Sequence, residues 1–69
     1  MKLEEFIQKE IEYRKTDIFL KENPEKELRR NIRELVKMYS EVKYPYNLTR
    51  RATYVEKWTE IMTKKYERN

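Results

Sequence analysis

Residues 23–47, NPEKELRRNIRELVKMYSEVKYPYN, decide the fold. Asn23 suits a helix N-cap, where its side-chain oxygen accepts from an otherwise unpaired amide. Pro24 is pre-set for the first helical position, and Glu25 and Glu27 complement the positive end of the helix dipole. Leu28, Ile32, Leu35, Tyr39 and Val42 then follow at alternating steps of four and three, with Val36 and Met38 widening the stripe. Nothing breaks the run before Tyr44-Pro45, where the proline disfavours helical geometry in the preceding residue. The pattern predicts a helix over residues 24–43.

Upstream, Leu3, Ile7, Ile11 and Ile18 fall on one helical line and Phe6, Tyr13 and Leu20 on a neighbouring one. Residues 2–22 therefore read as one helix, or as two with a bend at Thr16-Asp17, where Thr16 would act as a fresh cap. Downstream, Asn47 or Thr49 caps a helix over residues 48–67. Its apolar arc holds Ala52, Val55, Trp58, Met62 and Tyr66, flanked by Tyr54 and Ile61. No strand alternation of useful length and no internal repeat interrupts this pattern. The expected fold is all-α: one helical domain over residues 1–69, a small three-helix bundle with helices at about 2–22, 24–43 and 48–67. The outer arcs are wider than such a bundle needs, so a homodimer or a bound partner protein is expected to cover the remainder.

Composition narrows the chemistry. The 69 residues include no glycine, no cysteine and no histidine. Without cysteine there is no disulfide framework, thiolate nucleophile or Cys-rich zinc site. Without histidine the usual general base and the commonest metal ligand are missing. Without glycine, phosphate-cradling loops and the nucleophile elbow are excluded. Carboxylates are plentiful, but the glutamates stand at helix-neighbour spacing from lysines and arginines and should stay ionised. Asp17, the lone aspartate, is the acid that could turn inward, as a paired charge near Arg14 or Lys21. No enzyme activity, cofactor or metal is expected.

Charged residues make up 43% of the chain and mean hydropathy is −1.20. Folding then rests on periodic apolar spacing and on aromatics, which are 13% of the residues and bury large areas. No stretch approaches the roughly 20 apolar residues of a membrane span. Met1-Lys2-Leu3-Glu4-Glu5 has acids where a signal peptide would be apolar. The expectation is an intracellular, cytoplasmic protein without membrane contact, in a host cell's cytoplasm if viral.

Net charge is +4, and it is unevenly spread: residues 1–23 carry −1, residues 24–43 carry +2 and residues 44–69 carry +3. Lys26, Arg30, Arg33 and Lys37 line one face of the second helix, but Glu27, Glu34 and Glu41 run beside them at pairing distance. That face reads as solvated and self-paired. A second set is more pointed: Tyr44, Tyr46, Arg50, Arg51, Tyr54 and Lys57 gather around the start of the third helix. Trp58 lies beside them, read as a core residue, and Lys64 continues the row of Arg50 and Lys57 at steps of seven. Forked guanidinium donors, free helix amides and aromatic faces suit phosphate, and equally an acidic protein surface. A helix-turn-helix DNA reader fits less well, because the second helix is too long and the turn lacks glycine.

The expected function is a small non-enzymatic module that binds another protein as an inhibitor or regulator. In size and composition the chain is similar to small helical proteins of phages and mobile elements, which often act by occupying a host protein's binding site. That similarity is one of type: it covers no defined motif and fixes no residue. The alternative is a nucleic-acid or nucleotide module that holds phosphate at the start of the third helix.

Overall fold

The computed structural model describes residues 2–67, and three helices account for nearly all of them: α1 (Leu3–Phe19), α2 (Pro24–Lys43) and α3 (Leu48–Tyr66). No strand occurs among the described residues, so the all-α three-helix bundle expected from periodicity is the fold. The two asparagine caps act as their spacing predicts. Asn23 Oδ1 accepts from the Lys26 amide at 3.2 Å, and Asn47 Oδ1 from the Arg50 amide at 2.9 Å. Caps of this kind each contribute about 1 kcal/mol. α2 ends as its Tyr44-Pro45 boundary requires, with the Tyr44 amide still bonded to the Ser40 carbonyl at 2.8 Å.

α1 differs from expectation at its C-terminal end. It is a single helix that passes straight through Thr16-Asp17, and it stops at Phe19 rather than residue 22. The Leu20 amide still bonds to the Thr16 carbonyl at 3.1 Å, but residues 21–23 bend away toward the Asn23 cap.

α2 is the central element. It packs on both α1 and α3, which touch each other only marginally. The core follows from this arrangement: Leu3, Ile7, Ile11 and Ile18 of α1, Leu28, Ile32, Leu35 and Val36 of α2, and Met62 of α3. Ile7, Ile32, Leu35, Val36 and Met62 are fully sealed, each worth about 1.5–3 kcal/mol of burial. Because α1 has one main neighbour, only its first apolar line is needed. In the second line Phe6 is half-buried, while Tyr13 and Leu20 lie nearly four-fifths exposed.

The buried strip of α3 is also rotated from the arc read in the sequence. Ala52 is exposed, whereas Thr59 and Thr63 are buried. They are joined in burial by Ser40 of α2, whose hydroxyl donates to the Lys37 carbonyl at 2.7 Å and so needs no outside partner. The larger rings of α3 are displaced to one flank of this strip of small side chains. No helix among the described residues is long and apolar enough to cross a membrane.

Candidate functional site

That flank carries a connected set of aromatic rings drawn from all three helices. Phe6 of α1 meets Tyr39 of α2 at 6.1 Å between ring centroids, and Tyr39 stacks on Tyr54 of α3 at 6.3 Å. Tyr54 takes the edge of Tyr44 from the α2–α3 connection at 5.7 Å and leans on Trp58 at 6.0 Å. All five residues are half-buried, and Phe6, Tyr39, Tyr54 and Trp58 pack along the margin of the core. Tyr54 sits at the junction. Burial, followed by the neighbouring Tyr39 and Tyr44, raises its phenol above the ordinary tyrosine range.

Cations stand over these rings. The Lys43 ammonium lies 5.8 Å from the Tyr44 centroid and 5.3 Å from that of Tyr54. The Arg50 guanidinium is 5.4 Å from Tyr44, and the Lys57 ammonium 5.7 Å from Trp58. Each such contact is worth about 0.5–1 kcal/mol at an exposed site. None of the three cations forms an ion pair among the described residues; the pairs that do form are Arg14–Glu10, Arg29–Glu60, Arg30–Glu34 and Lys65–Glu4. The ring quadrupole replaces a carboxylate as their neighbour, and it leaves the full positive charge available to solvent or to a partner.

The opposite flank of α3 has a different character. A groove between α2 and α3 is lined by Arg29, Arg33, Lys37 and Arg51, but also by Glu41, Glu56 and Glu60. Arg29 is hydrogen-bonded to Glu60, which holds the Glu60 carboxyl below the ordinary glutamate range. Arg51 donates from Nη2 to the Pro45 carbonyl at 3.2 Å, clamping the connection to the helix start. Its buried Nε and the buried Thr59 Oγ1 have no partner among the described residues.

The seven residues singled out in the sequence therefore separate. Tyr44, Arg50, Tyr54 and Lys57 come together, with Trp58 half-buried among them. Arg51 turns to the other flank and serves the fold. Tyr46 is 98% exposed and outside the ring contacts, and Lys64 is exposed farther along α3. Phe6, Tyr39 and Lys43 also belong to the face, although the sequence reading did not include them. Phe6 and Tyr39 looked like ordinary stripe residues, and their approach to α3 is non-local; only Lys43 had a local sign, its place beside Tyr44. Among the other candidates, Arg30–Glu34 at 4.0 Å is the one pair of the proposed row on α2 that forms, while Arg33 and Lys37 turn to the groove. Asp17 is exposed rather than inward; Arg14 instead meets Glu10 at 3.7 Å and Asn31 at 3.0 Å. Comparison of the chain with family models, curated proteins and solved structures finds no match.

Proposed function

We propose that this chain is a non-catalytic binding module that acts in the cytoplasm by occupying the surface of a partner protein, as an inhibitor or regulator. Its contact face is built on Tyr44, Arg50, Tyr54, Lys57 and Trp58, with Lys43 at the rim. The observation that carries this reading is the conjunction on one flank of linked aromatic rings and three cations that have no carboxylate partner among the described residues. Tyr, Trp and Arg dominate the energetics of protein interfaces, because they offer large contact area together with a polar handle. A preorganised ring cluster also loses little side-chain freedom on binding.

Basic residues interleaved with aromatics are equally the mark of a single-stranded nucleic-acid groove, which is the second reading. Such grooves stack bases on open ring faces. Here the rings are half-buried and face one another or a cation, which favours a protein contact. If the three cations did neutralise phosphates, the log–log salt slope on single-stranded DNA would be about −2.

The double variant Arg50→Glu/Lys57→Glu separates the two readings. Capture from a nuclease-treated lysate should yield a stoichiometric protein with the parent chain and lose it with the variant, at unchanged helicity by circular dichroism. A salt-dependent complex with a single-stranded oligonucleotide at 50 mM salt, and no protein capture, would replace this reading with the second.

A further inference from the structure

Toward the end of α2, two apolar side chains remain uncovered. Met38 is 52% exposed and Val42, one turn on, is 83% exposed. With Phe6, Tyr39 and Lys43 they line a groove of about 530 Å³ that contains four apolar or aromatic side chains, one cation and no carboxylate. The groove is continuous with the aromatic face through Phe6–Tyr39 and Tyr39–Tyr54. Lys43 belongs to both, because its ammonium lies over Tyr44 and Tyr54 while its stem borders the groove.

We infer that this groove receives an acidic amphipathic helix from the partner, whose large apolar side chains sit on Phe6, Met38, Tyr39 and Val42 and whose carboxylates meet Lys43 and Arg50. The inference rests on the protein-binding reading and names the chemistry of the segment recognised. Three physical considerations select this occupant. Volume is the first: the groove, about 530 Å³ and open to solvent, is large enough to receive apolar side chains of the kind a helix presents at i, i+3 or i+4, and i+7. The second is shape. Met38 and Val42 form an i,i+4 ridge of the kind that packs into a facing helix, whereas strand addition would need a sheet edge and the described residues form no strand. Charge is the third: the one charged residue that lines the groove is Lys43, which forms no ion pair among the described residues, and Arg50 stands nearby over Tyr44. Met38 adds an unbranched thioether that adapts to whichever apolar side chain arrives.

The test uses the full chain with ¹³C-methyl methionine and a synthetic 16-residue helical peptide carrying Leu, Phe and Leu at i, i+3 and i+7 and glutamates on its flanks. Binding should move the Met38 methyl resonance and leave that of the sealed Met62 in place. Val42→Asp and Lys43→Glu, both at exposed positions, should each weaken binding about tenfold or more, and Lys43→Arg should retain it. Equal binding by a peptide with lysines in place of the glutamates overturns the inference, as does no binding at all. Peptide binding that leaves Met38 unmoved and ignores Val42→Asp places the contact elsewhere; the inference then falls while the protein-binding reading stands. Two further outcomes sink it as well. A Met38 shift on protein concentration alone would mean that a second copy fills the groove. A shift caused only by a single-stranded oligonucleotide would remove the protein-binding reading together with the inference.

Discussion

The two flanks of α3 use similar residues to opposite ends. On one flank Tyr54 and Trp58 form part of a chain of rings, and the cations beside them stand over aromatic faces. On the other flank Arg29 is bonded to Glu60, Arg51 is tied to the backbone of the connection, and Glu41 and Glu56 complete a mixed-charge lining. A cation paired with a carboxylate has spent its field locally, and a partner must break that pair to use it. A cation over a ring keeps its charge and has lost less hydration, so it can still accept a carboxylate. One flank therefore fits the proposed contact, and the other ties Arg29 of α2 to Glu60 of α3.

The largest expected effect tests whether the ring flank also supports the fold. Trp58→Ala should lower the unfolding free energy in urea by about 2 kcal/mol, short of the 3–5 kcal/mol typical of a fully buried ring because Trp58 is half-exposed. A change near zero would show that the rings pack against one another without gripping the core. The neighbouring residue, on the opposite flank, should respond with the opposite sign. Thr59→Val replaces a buried hydroxyl that has no partner among the described residues by a methyl of similar shape, and should stabilise the bundle by about 1 kcal/mol. Destabilisation would mean that the hydroxyl is satisfied by a bound group and that the groove is not merely structural.

The smallest effect concerns pH. Arg29 depresses the Glu60 carboxyl, so the stabilisation it provides is present above the ordinary glutamate range. It is lost as pH falls from the ordinary glutamate range through the lowered value. Glu60→Gln should leave the denaturation midpoint at pH 7 almost unmoved, because exposed pairs contribute little, and should make the acid limb of the stability curve shallower. An acid limb identical to the parent's would show that the pair does not persist in solution.

Much of this architecture could be read before any coordinates. The Asn23-Pro24-Glu25 start, the Tyr44-Pro45 stop and the Leu3–Ile7–Ile11–Ile18 line are local signals, and each appears where it was read. The candidate site was only half legible. Tyr44, Arg50, Tyr54 and Lys57 lie within fourteen residues of one another, so helical geometry alone brings most of them together. Arg51, adjacent to Arg50 in sequence, is carried about 100° around the helix and so faces the other flank.

Sequence by itself determined the helices, their caps and the positive charge of the third segment, because periodicity, capping and charge act between residues a turn or so apart. Tertiary structure alone decided which apolar lines are buried and which stay open, since that depends on which face of each helix its neighbours cover. Ser40, Thr59 and Thr63 took buried places, while the rings of Tyr54 and Trp58 stayed at the margin of the core. Met38 and Val42 stay bare although they continue the apolar stripe of α2, and no spacing within α2 could have announced it.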